Sequence, residues 1–225
     1  MKDLKDLKCA TLTNLIQTLL AHPSHKKKTL LIRHGQSEGN LKPNMHGVAD
    51  HPLNETGHLQ TKNLQKHLLP FLPKIAKIKT STMIRCIQSC HNAFDAKNDK
   101  ETLSRIDYDH KLREFGIGGL ENAYMDRKGM PLEAKVTFFD CLIKGHVVPL
   151  GGEGGKALMK RAVESMEEAE EGLNVFFAHS WLIYALTNEQ MGKLFVGNCG
   201  AFGFVYDEFS REYEIVGVYM GNEYL

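Results

Sequence analysis

The sequence carries almost no net charge. Lysine and arginine total 28 against 27 aspartate and glutamate, which leaves +1 with histidine neutral. Proteins that grip nucleic acid usually show a clear basic surplus, so no nucleic-acid partner is expected. Long apolar runs are also missing. None approaches the roughly 20 residues needed to cross a bilayer, so no membrane partner is expected either. The amino terminus, MKDLKDLK, lacks the unbroken apolar core of a secretion signal and mixes charges of both signs. A cytoplasmic location is the expectation. Cysteine is scarce and odd in number: Cys9, Cys86, Cys90, Cys141 and Cys199 show no framework of paired spacings. Reduced thiols in an intracellular compartment follow. Cys86 and Cys90 lie four apart and share a helix face, but a zinc site needs further ligands at suitable spacing. The eleven histidines include no H-E-x-x-H or similar cluster, so no metal is expected.

What remains is an ordinary apolar and charged balance, 42% and 24%, over 225 residues. That suits one sizeable domain, or one domain with an appendage. Leu4, Leu7, Leu12, Leu15, Ile16, Leu19 and Leu20 recur at helical spacing, which predicts one amphipathic helix over 4–20. Residues 1–27 are therefore set apart as an N-terminal helical extension, packed on the main body and dispensable for catalysis. Residues 28–225 form the catalytic unit. Lys26, Lys27 and Lys28 are expected in solvent.

Thr29–Ile32 is an apolar run of strand length, suited to a parallel sheet. Asn54 caps a helix running to about Leu69, which Pro70 and Pro73 end. Strands are predicted over 75–80, 104–108 and 175–178. Helices are predicted over 83–94, 131–142, 156–171 (stopped by Gly172) and 181–186. A hairpin over 202–207 and 213–219, turning at Phe209-Ser210-Arg211, closes the chain. Alternating strands and helices predict an α/β fold of three layers, a mostly parallel central sheet with helices on both faces.

In such sheets, ligands sit beyond the carboxyl ends of the strands. Arg33-His34-Gly35 follows the first strand, Arg85 the second, Arg113-Glu114 the third and His179 the fourth. Arg33 and Arg85, two histidines and a carboxylate thus gather on one edge. Arginine's planar fork matches phosphate oxygens. A neutral histidine is a competent nucleophile toward phosphorus. A carboxyl group whose pKa is raised by burial can protonate a leaving alkoxide, and Glu114 has that opportunity.

These segments carry a resemblance. LIRHGQSEGN resembles the Arg-His-Gly signature of the histidine phosphatase superfamily, which includes the cofactor-dependent phosphoglycerate mutases. ADHPLNETGHLQ, KTSTMIRCIQSC, KLREFGIGGLEN, PLGGEGG through Arg161, and VFFAHSWL resemble that family's later segments, in order. Asn54 stands where threonine is usual, Gly154 where serine is, and Ser180 where glycine is. The resemblance covers about residues 29–219 and implies a phosphoglycerate mutase-like fold.

It also implies roles. His34 becomes a phosphohistidine, and Arg33, Arg85 and His179 hold the phosphoryl oxygens. Asn40 adds an amide donor, and Glu114 is the general acid and base. Glu153 is expected as a loop anchor, and Trp181 as core or pocket wall. Hydrolysis of a phosphate monoester, on a phosphorylated small molecule or a phosphoprotein, is the expected activity, with no cofactor.

A phosphoglycerate mutase, which would need 2,3-bisphosphoglycerate, is the alternative. Mutases carry a larger insertion before the Gly-Glu-Ser region, with a basic pair. The corresponding stretch here, 121–150, offers only Arg127, Lys128 and Lys135, and Gly39 stands where their signature has tryptophan. A non-enzymatic relative that binds phosphate or a protein partner is the third reading, and Ser180 and Gly154 keep it open. A homodimer is left open.

Overall fold

Helix formation starts at Leu4–Leu7 (α1), stops, and restarts at Leu12–Ala21 (α2). The single helix expected over 4–20 is therefore two. Thr11 caps α2 by accepting a hydrogen bond from the Asn14 amide at 3.1 Å. The residues between the helices pair with the chain's last strand: Lys8 bridges Val218, and the Cys9 amide donates to the Val218 carbonyl at 2.8 Å. An exposed sheet edge offers such backbone partners, and here they outcompete one turn of helix. The computed structural model describes residues 4–44, 46–124, 131–191, 194–207 and 212–221. The expected turn at Phe209-Ser210-Arg211 and the basic residues Arg127 and Lys128 lie outside them.

The elements continue as β1 (Lys27–Arg33), α3 (Glu38–Leu41), α4 (Glu55–Lys62), α5 (Gln65–Leu68) and β2 (Ile75–Ser81). Next come α6 (Ile84–Phe94), α7 (Lys100–Ser104), β3 (Ile106–Asp109), α8 (Leu132–Ile143) and α9 (Gly155–Glu167). β4 (Gly172–Ala178), α10 (Ser180–Met191), β5 (Ala201–Asp207) and β6 (Glu212–Tyr219) complete the chain. Asn54 does cap α4, accepting from the Gly57 amide at 2.8 Å.

The helix expected from Asn54 to about Leu69 breaks after Lys62 and resumes as α5. Three further expectations need correction. Lys28 lies inside β1 and is buried, its ammonium donating to the His22 and Pro23 carbonyls. Ser104 ends α7, so the third strand starts two residues later than alternation suggests. Helix α9 stops at Glu167 rather than at Gly172, which instead opens β4. The buried Asn174 side chain explains the early stop. It accepts from the Glu170 amide and donates to the Glu170 carbonyl, drawing that peptide out of the helical ladder.

The sheet order is β3-β2-β4-β1-β5-β6. β1 to β4 run parallel, while β5 pairs antiparallel with β1 and with β6. This is a mostly parallel sheet with an antiparallel closing pair. Alternate strand residues feed two cores. Leu31, Phe176, Phe202 and Phe204 join side chains of α9 and α10 on one face. Leu30, Ile32, Ile78, Val175 and Phe177 join those of α2 and α6 on the other. Among the described residues, no helix is long and apolar enough to cross a membrane.

Leu12, Leu15, Ile16 and Leu19 of α2 are fully buried in that second core. Leu15→Ala is therefore expected to destabilise the fold by about 2–5 kcal/mol. Urea denaturation followed by circular dichroism measures this, and a change under about 0.5 kcal/mol would contradict the packing.

Candidate active site

β1 and β4 are adjacent and parallel, with Arg33 paired to Ala178. Their next residues, His34 and His179, therefore emerge side by side. The ring centroids are 5.2 Å apart, and both side chains are buried. The backbone of the turn is pinned on several sides. The His34 amide donates to Ala178 at 3.1 Å, and Asn198 donates to the His34 carbonyl at 3.1 Å. The Gly35 amide donates to Ser89 of α6 at 3.1 Å. Helix α4 packs so closely that a Cβ on Gly57 would sit 1.9 Å from the Gln36 carbonyl oxygen. Only glycine fits there.

The His34 ring has a defined tautomer. Nδ1 lies 2.6 Å from the Gly35 carbonyl oxygen, which can only accept. Nδ1 therefore carries the proton, and Nε2 keeps a lone pair. Burial pushes the imidazole pKa well below 6.5, and the Arg85 and Arg33 charges push it the same way. The ring is neutral at pH 7.

His179 is held by side chains the sequence reading did not single out. Its Nε2 lies 2.9 Å from Ser81 Oγ, at the end of β2, and 3.3 Å from Cys86 Sγ in α6. Burial again lowers its pKa well below 6.5, followed by Arg85 and His34. Ser81 stands at a strand end, so the same positional rule could have found it. Cys86 and Asn198 leave no local sequence signal.

Both arginines are buried. Arg33 Nη1 donates to the Val196 carbonyl at 2.9 Å. Arg85 donates to Ala49 at 2.9 Å and Gly47 at 3.2 Å, tying the 47–50 loop to α6. Asp50 caps α6 in return, accepting from the Ile84 amide at 2.8 Å. Asn40 sits on α3. Its Oδ1 accepts from the Ser37 amide and hydroxyl, which leaves the amide nitrogen as the end able to donate outward.

Glu114 is buried at the N-terminus of α10. Its carboxyl accepts from the Phe115, Trp181 and Leu182 amides at 3.0–3.3 Å. Those amides and the two arginines favour the anion, but burial outweighs them and raises the pKa above the ordinary carboxylate value. The segment carrying Glu114 is clamped by Arg161. That guanidinium donates to the Lys111, Arg113 and Glu114 carbonyls and to both Glu153 oxygens. Glu153 also accepts from the Gly116 amide at 2.7 Å. Glu153 is thus the expected anchor.

Two of the three departures, Gly154 and Ser180, have local accounts. Gly154 adopts φ +70° and ψ 151°, a conformation serine would hold only under strain. Ser180 opens α10 without a positive φ, so glycine is not required there.

At the carboxyl edge of the sheet His34 and His179 thus stand side by side, and the buried Arg33 and Arg85 charges act on both and on Glu114, with Asn40 on α3. A neutral imidazole faces buried cations and an acid. That arrangement suits attack on an anionic, tetrahedral centre.

Comparison with known proteins agrees. A family model described as "Histidine phosphatase superfamily (branch 1)" matches residues 29–198. A Schizosaccharomyces pombe protein named "probable phosphatase" is 38% identical over 94 residues, which span 42% of this chain and 42% of that protein. A mycobacterial glucosyl-3-phosphoglycerate phosphatase superposes with a TM-score of 0.65 at 18% identity, over 87% of this chain and all of that one. An alpha-ribazole phosphatase from Shigella flexneri gives 0.64 at 18%, over 87% and 99%. A phosphoglycerate mutase from Thermus thermophilus gives 0.60 at 21%, over 84% and 98%. At such identities the structural likeness is one of fold. The family match runs from the strand that delivers His34 to the Asn198 that braces it, and it places this chain in the histidine phosphatase superfamily, branch 1.

Proposed function

We propose that this protein hydrolyses phosphate monoesters through a phosphohistidine on Nε2 of His34. The observation that carries the reading is the His34 tautomer. The Gly35 carbonyl holds the proton on Nδ1, so the nucleophilic lone pair is on Nε2.

In the first step Nε2 attacks phosphorus and the bond to the ester oxygen breaks. Arg33, Arg85 and His179 hold the three equatorial oxygens as charge spreads over them, and Asn40 adds an amide donor. The departing alkoxide takes the proton from Glu114. In the second step the resulting Glu114 carboxylate takes a proton from water, and the hydroxide attacks phosphorus. The N–P bond breaks, and phosphate leaves with His34 and Glu114 restored. Neutralisation comes from the two guanidinium groups, so the reading invokes no metal and no diffusible cofactor. The substrate is a phosphorylated small molecule or a phosphoprotein.

Incubation with a ³²P-labelled phosphate ester, quenched within one turnover, is expected to leave an acid-labile, alkali-stable label on His34. Label on another residue, or none, would remove the reading. Interconversion of phosphoglycerates with 2,3-bisphosphoglycerate, at a rate above phosphate release, would replace hydrolysis by mutase transfer.

A further inference from the structure

Beside this site runs a continuous row of aromatic rings that the phosphoryl chemistry does not use. Phe138 and Phe139 of α8 lie 5.2 Å apart, and Phe139 stacks on Trp181 at 3.6 Å and 26°. Trp181 meets Phe195 edge-on at 4.9 Å, and Phe195 stacks on Tyr184 at 4.3 Å and 8°. Phe139 and Tyr184 are buried, but Phe138, Trp181 and Phe195 keep part of their surface in solvent. Leu120 and Leu194 are partly exposed against the same core.

Two hydrogen bonds fix this row to the reaction centre. The Trp181 amide donates to both Glu114 oxygens, at 3.2 and 3.3 Å. At the other end, the carbonyl of Val196, next to Phe195, accepts from Arg33 at 2.9 Å. The backbone carrying Trp181 is therefore tied to the acid, and the residue after Phe195 to a phosphate-holding arginine. The group that takes a proton from Glu114 is the ester oxygen, so the alcohol portion of a bound substrate leaves the phosphate on the acid's side, where the chain carrying these two half-exposed rings runs.

We infer that the Trp181–Phe195 wall is the leaving-group subsite, and that the substrate is the phosphate ester of an apolar alcohol or phenol rather than of a second anion. This rests on the hydrolase reading above. Aromatic surface rewards apolar area removed from water and offers nothing to a carboxylate or second phosphate. Affinity through this wall should therefore scale with the apolar length of the ester.

The test compares kcat/KM for ethyl, butyl and hexyl phosphate, whose leaving alkoxides are nearly equal in basicity. Full burial is worth about fourfold per methylene. A rise of at least about tenfold from ethyl to hexyl is expected, with hexyl phosphate preferred over 3-phosphoglycerate and glucose 6-phosphate. Trp181→Ala and Phe195→Ala should flatten the hexyl-to-ethyl ratio, and Phe195→Leu should retain most of it. A fold lesion would instead lower all three esters together and leave the ratio intact. If either alanine variant fails to fold, the wild-type series decides by itself. A flat or falling series, or a preference for 3-phosphoglycerate or glucose 6-phosphate over hexyl phosphate, overturns the subsite. Labelling of His34 would stand in that case, so the two readings fail separately.

Discussion

His34→Ala is expected to lose turnover of p-nitrophenyl phosphate by on the order of 10⁴-fold or more. The size follows from the arrangement of the site. The buried arginines and the acid can hold a phosphate ester without His34, but none of them is a neutral nucleophile in line with phosphorus. Residual binding should persist, so inhibition by inorganic phosphate should survive the substitution. The removed ring was buried, so a thermal melt must accompany the assay to show that the fold remains. Activity within tenfold of wild type in a folded variant would end the role assigned to His34.

Glu114→Gln carries the second large effect, and its size depends on the substrate. Glutamine keeps an oxygen to accept from the Phe115 and Trp181 amides but has no proton to give. For alkyl phosphates, whose leaving oxygen is strongly basic, a loss of about 10²–10⁴ in kcat is expected. For p-nitrophenyl phosphate the leaving group departs without help, so the phosphorylation step should change little. Because Glu114 also serves the shared second step, the comparison is made in kcat/KM, which reads phosphorylation alone; an equal loss of kcat/KM on both esters would count against the acid role.

The pH profile gives an independent check. Nucleophilic attack needs neutral His34, whose pKa is pushed below 6.5, so activity should fall on the acid side only below the ordinary histidine range. Leaving-group protonation needs the carboxylic acid form of Glu114, whose pKa is raised, so the alkaline limb should lie above the ordinary carboxylate value. In Glu114→Gln the alkaline limb should disappear while the acid limb stays.

Much of the site was legible because parallel α/β sheets present side chains at strand ends, and strand ends show in sequence as abrupt breaks in apolar runs. That rule singles out Arg33, His34, Arg85, Glu114 and His179 as candidates. The braces were not legible. Ser81 was overlooked although it ends β2, and Asn198 reaches His34 from a stretch with no periodicity of its own. The N-terminal helix was read as one piece because its leucines keep step through Lys8. Periodicity reports which residues share a face, and it is blind to the distant strand whose Val218 carbonyl takes the Cys9 amide. Likewise Gly172 looked like a helix stop, but the stop was imposed earlier by Asn174, a side chain from the following strand.

The layered α/β plan and the identity of the groups along one edge can be read from the chain alone, because alternation and helical spacing are local properties. What those groups are chemically is set by the folded packing. The proton on Nδ1 of His34, the raised pKa of Glu114, and the grip of Arg161 on its backbone all depend on burial and on contacts between distant segments. Protonation state is set by the removal of water and the approach of charge, and both exist only once the layers have closed.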